Sequence, residues 1–209
     1  MGPLLKAFRE LSFRMGSGYA PLPESVTIEV NYDCNFRCPS CQLWTKEFKL
    51  SRQGERKKLS LAEIQEIISR LSALGVRHIH IGGGEPFVRK DFLEIVKCIK
   101  SHRMEVSVFT NGFLIKEAVA RNIVASGLDR LSISMDGPNA EINDELRGVK
   151  GAFEHALSAI RNLKTQQHEL GATTPDLAIH CTVSARNFSS MPEMVDVAKS
   201  VGVRTIGFQ

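Results

Sequence analysis

The chain has 209 residues, enough for one domain with a sizeable core, and its 43% hydrophobic and 24% charged content is that of an ordinary globular protein. No apolar run approaches the roughly 20 residues of a spanning helix, and no signal peptide is evident, which excludes a transmembrane class. Net charge is only +4 and five cysteines are too few for a disulfide-dense framework, so nucleic-acid binding and a secreted disulfide scaffold are not indicated.

Residues 3–15 (PLLKAFRELSFRM) have helical apolar spacing with basic flanks. They read as a helix docked on the body of the protein, or, as a second reading, one lying on a membrane surface. Met1-Gly2 opens like a myristoylation signal, but Lys6 stands where Ser or Thr is needed. Residues 26–32 form a strand, and directly after it come Cys34, Cys38 and Cys41 in a C-x3-C-x2-C run. Residues 46–58 (KEFKLSRQGERKK) hold the basic excess; with almost no aromatic interleaving they read as a solvated loop, able to cover the cysteines or touch an anionic substrate.

Beyond that loop, helix and strand patterns alternate. A capping box from Ser60 to Glu63 opens a helix over 60–73 with apolar residues at 61, 64, 67, 68 and 71, and Gly75 ends it. Strands follow at 77–81, 105–109, 130–135, 177–183 and 203–208, separated by helices at 91–100, 116–126, 151–166 and 190–200. Parallel strands need crossover helices, and such crossovers are right-handed, so the α/β chain curls into a doubly wound sheet or a barrel. The sequence ends as the sixth strand finishes, and further segments are expected to follow it.

In βα barrels chemistry gathers at the C-terminal ends of strands. Here the distinctive residues fall at those ends: the cysteines after strand one, residues 82–86 (GGGEP) after strand two, Thr110, Asn111 and Gly112 after strand three, Ser134 and Asp136 at strand four, residues 184–187 after strand five. Three thiolates fall one short of the four that usually hold a [4Fe–4S] cube, which leaves one iron open to a substrate or cofactor. The same three could join a histidine as structural zinc, although no second Cys/His pair follows at zinc-knuckle spacing. Gly83 and Gly84 let backbone approach a ligand closely, and Glu85 can accept from an ammonium; a tight strand-to-helix turn would explain the same residues. Asp136 is either a loop cap or a ligand, and Asn111 a turn residue or part of a cleft lining. Cys98 and Cys181 read as small core hydrophobes, and His80 as a core histidine or one pointing into the barrel.

The cysteine triplet with GGEP resembles the radical S-adenosylmethionine (radical SAM) superfamily, whose signature is C-x3-C-x-aromatic-C; Ser40 takes the place of the usual aromatic. The resemblance implies an incomplete (β/α)6 barrel over residues 25–209, with residues 1–24 an N-terminal extension. It implies a [4Fe–4S] cluster on Cys34, Cys38 and Cys41 with SAM on the open iron. Gly83, Gly84, Glu85 and Pro86 would hold the amino end of SAM, Ser134 its ribose or carboxylate, and Asn111 and Asp136 would line the cofactor cleft. The phrase SISMDGP followed by Arg147-Gly148 is similar to the subgroup with auxiliary-cluster (SPASM or twitch) regions, where such an arginine meets the SAM carboxylate. The expected reaction is reductive cleavage of SAM and hydrogen abstraction from a small-molecule or peptide substrate, and the SPASM- or twitch-like phrase suggests peptide or cofactor maturation. The expected partner is an electron donor such as flavodoxin or ferredoxin, in a reducing cytoplasm. A cluster-binding module without SAM turnover and a structural zinc domain are the rival readings.

Overall fold

The computed structural model describes residue 8 and residues 11–16, 22–45 and 58–209. The basic stretch 46–58 lies outside the described residues except for Lys58. Of the helix expected over 3–15, Phe8 and residues 11–14 are helical and Met15 lies in a turn; the others lie outside the described residues.

Six parallel strands form one sheet in the order β1 (Ser25–Glu29), β2 (His78–Gly82), β3 (Glu105–Thr110), β4 (Arg130–Ser134), β5 (Asp176–Cys181), β6 (Thr205–Phe208). Between them run α1 (Leu61–Ala73), α2 (Phe92–Ser101), α3 (Glu117–Ala125), α4 (Ala140–Arg147), α5 (Ala152–Glu169) and α6 (Met191–Ser200). A doubly wound sheet reverses its strand order at a switch point. Here every strand lies beside its predecessor, so right-handed crossovers put the helices on one side and the sheet curls around the other. The architecture is the expected six-stranded, barrel-like α/β fold.

Strand parity separates two faces. Ile79, Ile81, Val106, Val108, Leu131 and Ile133 are buried and packed with the helices in the main core. The alternate positions are polar or partly exposed: His78 and His80 on β2, Ser107 and Phe109 on β3, Ser134 on β4, His180 on β5. His80 therefore faces the inside of the curl. Its Nδ1 lies 2.6 Å from Ser107 Oγ, its ring stacks on His78, and burial together with the neighbouring His78 charge lowers its pKa.

Helix α1 has the capping box read from its sequence: Ser60 Oγ accepts from Glu63 N–H while the Glu63 carboxylate accepts from Ser60 N–H. Helix α4 was not visible in the hydrophobic pattern, because Asn143 is its one buried residue. It is set by its ends. Asn139 Oδ1 caps Ile142 N–H, and Gly148 closes it in the left-handed conformation, φ 66°.

Candidate functional site

Cys34, Cys38 and Cys41 lie on the loop after β1, unpaired and half-buried. They are close enough that each thiolate feels its neighbours: charge on Cys41 raises the Cys34 pKa, and charge on Cys34 and Cys41 raises that of Cys38. Burial is the larger cause of both upward shifts. Phe36 N–H, 3.4 Å from Cys34 Sγ, works against it, and the Arg147 charge pulls both thiols down. Phe36 anchors the loop: its ring is buried and meets Phe113 edge-on at 5.5 Å.

The loop is seated on the GGEP turn by main-chain hydrogen bonds that carry strand pairing past the end of β1. Val30 N donates to Gly82 O at 3.2 Å, Gly84 N to Asn31 O at 2.8 Å, and Glu85 N to Asp33 O at 2.8 Å. This close approach explains the glycines. Gly83 has φ +123°, and a Cβ built on it would fall on the Asn31 carbonyl oxygen; one built on Gly84 would fall on that of Asp33. The two glycines admit the backbone that carries the cysteines.

Glu85 is only 2% exposed, and both of its carboxylate oxygens are engaged. Oε1 accepts from Thr110 Oγ1 at 2.8 Å and from Phe87 N at 3.1 Å; Oε2 accepts from Asn111 N at 2.8 Å. Burial raises its pKa, and these three donors oppose the shift. The carboxylate thus joins the end of β2 to the end of β3. Asn111 extends the connection: its Oδ1 accepts from Phe113 N at 3.0 Å and its Nδ2 donates to Asn35 Oδ1 at 2.8 Å.

On the far side of the cysteines stands Arg147, the last residue of α4. Its Nη1 donates to Asp136 Oδ2 at 3.1 Å, and its guanidinium lies 5.8 Å from the Phe36 ring. Burial alone would lower its pKa; the Cys38 and Asp136 charges outweigh that and raise it. Its Nε is buried without a partner among the described residues. Gly148 brings this corner onto the loop, since a Cβ there would lie 2.6 Å from Arg37 O. Asp136 is fixed in turn. Its Oδ1 accepts from Thr182 N at 2.8 Å, its N–H donates to Asn143 Oδ1 at 2.9 Å, and its carbonyl accepts from Asn187 Nδ2 at 2.8 Å.

Of the residues singled out from sequence, the three cysteines, Gly83–Pro86, Asn111, Asp136 and Arg147 are thus joined by direct contact or by electrostatic influence. Ser134 lies at the end of β4 on the inner face, beside His180 in register. Cys98 stands apart, whereas Cys181 feels the Asp136 and Arg147 charges and lies 3.8 Å from Asn187 Nδ2. Cys181 is fully buried, 3.7 Å from Met191 Sδ, and burial pushes its thiol up to about 11. The pattern reading missed Asn143, which is 0% exposed; Asn187, also 0% exposed, falls in the stretch 184–187 expected at the end of strand five but was given no role there.

The donor set fits the expected group. Three free thiols from one loop match a cube with one iron left open, and the unpartnered Nε of a buried arginine is suited to an anionic ligand beside it. Among the described residues no helix is long and apolar enough to cross a membrane.

Comparison with known proteins agrees. The radical SAM superfamily profile matches residues 28–176. The mycofactocin maturase MftC of Mycolicibacterium smegmatis is 36% identical over 182 residues, covering 86% of this chain and 43% of that protein. An AdoMet-dependent heme synthase of Methanosarcina barkeri is 31% identical over 180 residues, covering 86% of this chain and 48% of that one. The chain thus spans less than half the length of these relatives. In structure, Streptococcus suis SuiB bound to its precursor peptide SuiA superposes with TM-score 0.75 at 17% identity, over 98% of this chain and 43% of SuiB. SuiB bound to S-adenosylmethionine gives 0.73 at 19% identity, over 98% and 44%. The chain belongs to the radical SAM superfamily, whose members use a [4Fe–4S] cluster and SAM.

Proposed function

We propose that the chain is the core of a radical SAM enzyme acting on a peptide or a small molecule. The observation that carries this reading is the loop of three free cysteines seated between the GGEP turn and Arg147. A bound cluster and SAM would supply one-electron reductive chemistry and the means of abstracting a hydrogen atom from substrate. The protein's own task is to bind, orient and exclude water.

Cys34, Cys38 and Cys41 would hold the cluster. Arg147, charged and held by Asp136, presents its guanidinium to the SAM carboxylate. The main chain of Gly83–Pro86 receives the amino end, and Ser134 contacts the ribose or carboxylate. Substrate enters the polar inner face, where Phe109 is 42% exposed and meets the His180 ring at 4.9 Å. Kinship with a maturase supports a peptide, and kinship with a heme synthase supports a small molecule. An electron donor such as flavodoxin or ferredoxin supplies the electron in a reducing cytoplasm. Residues 1–24 form an extension to the core at 25–209.

The test is anaerobic reconstitution with iron and sulfide, then EPR of the reduced protein with and without SAM. A [4Fe–4S]⁺ signal that changes shape on adding SAM is the expected result. An unchanged signal leaves a cluster-binding module. About one equivalent of zinc with negligible iron and sulfide overturns the reading in favour of a structural zinc domain.

A further inference from the structure

We infer that Glu85 and Asn111 are positioning residues that act on Cys34, the first cysteine of the loop, and that their side chains do not serve as SAM ligands. Two features of the geometry carry this. First, the Glu85 carboxylate is irreplaceable by its own amide. Phe87 N–H points at Oε1 and Asn111 N–H points at Oε2, so whichever oxygen becomes an NH2 group meets a main-chain donor. A buried carboxylate without a hydrogen-bonded cation is costly unless neutral donors surround it, and three do. A group so enclosed holds β2 against β3.

Second, Asn111 transmits that fixed position to the cysteine loop. Its main-chain N–H is held by Glu85. Its side-chain carbonyl is committed to Phe113 N–H, which turns the amide so that Nδ2 faces the loop. There Nδ2 donates to Asn35 Oδ1 at 2.8 Å and lies 4.0 Å from Cys34 Sγ. Phe36 N–H reaches the same sulfur from the other side, at 3.4 Å. Donors aimed at a cluster sulfur stabilise the more negative, reduced state and so raise the reduction potential.

The inference takes from the proposed function only that Cys34 is a cluster ligand. Its test compares wild type, Asn111→Ala and Glu85→Gln for iron retention under a chelator, for midpoint potential without SAM, and for iodoacetamide alkylation of Cys34 in metal-free protein. Asn111→Ala keeps the main-chain bond to Glu85, so its circular dichroism stays that of wild type. Its potential shifts negative, and Cys34, whose thiolate loses a donor, alkylates more slowly while Cys41 is unchanged. Glu85→Gln loses iron roughly tenfold faster, the scale of removing a group that orients a metal ligand. If either variant keeps the wild-type potential, iron retention and Cys34 reactivity and loses only SAM affinity, the inference is overturned and that residue is a cofactor ligand. Failure of the proposed function is read separately, as a wild-type EPR signal indifferent to SAM; alkylation of the metal-free protein reports on the inference even then. Should Glu85→Gln not fold, Asn111→Ala decides alone: an unchanged potential and unchanged Cys34 alkylation overturn it.

Discussion

Two buried carboxylates stand on opposite sides of the cysteine loop, and they are satisfied in different ways. Glu85, at the β2–β3 side, accepts from three neutral donors and, among the described residues, has no cation bonded to it. Asp136, at the β4–β5 side, accepts from one neutral donor, Thr182 N–H, and from the Arg147 guanidinium. An acidic residue at the end of a barrel strand is thus no single kind of site. The first serves as a clasp between strands. The second keeps a charged side chain oriented, and one nitrogen of that side chain still lacks a partner.

The comparison can be broken by mutation. The largest effect is expected at the group both sides enclose: Cys38→Ala leaves two thiols of the triplet and abolishes the cluster's visible absorbance and EPR signal. Asp136→Ala comes next. It leaves Arg147 buried without its counter-charge, and thermal or denaturant unfolding is expected to show a loss of about 3–5 kcal/mol. Asp136→Asn separates the two roles. It can keep its oxygen on Thr182 N–H but turns an NH2 toward Arg147, so the cluster loads normally while SAM affinity, read by titration of the EPR change, falls about tenfold or more. Glu85→Gln has the opposite profile, impaired cluster retention being its primary defect. If both amide variants show the same profile, the distinction between clasp and charge holder fails. Gly84→Ala sharpens the first side further, because its methyl group displaces Asp33 and with it the cysteine loop, so iron loading falls although no polar contact is removed. The smallest effect is reserved for an ion pair remote from both: Arg70→Ala breaks an exposed pair with Glu66 on α1 and should cost no more than about 0.5 kcal/mol in the same unfolding assay.

How far the sequence speaks differs from residue to residue. The cysteines were legible because cluster ligation needs one residue type at fixed spacing within a single loop, and nothing else in the chain competes for that pattern. The strands, and all the helices between them but α4, were legible from periodicity, since each buries an apolar face against its neighbours. Their ends were read less well. Strand one was expected to run to residue 32, yet β1 closes at Glu29 and its continuation pairs with the GGEP turn through Val30, Asn31 and Asp33. Helix α4 was missed because its stability comes from two caps rather than from a hydrophobic stripe.

By itself, then, the sequence determined the family, the parallel alternating architecture and the candidate ligand triplet, because each is written in local spacing. Only the tertiary structure decided what the glycines, Glu85, Asn111, Asp136 and Asn187 do. Partners that fix them lie far along the chain: Glu85 meets Asn111 across 26 residues and Asn31 across 54, and Asn187 meets Asp136 across 51. A hydrogen bond between strand ends has no signature in local pattern. It exists only once the sheet has curled and brought those ends to one rim.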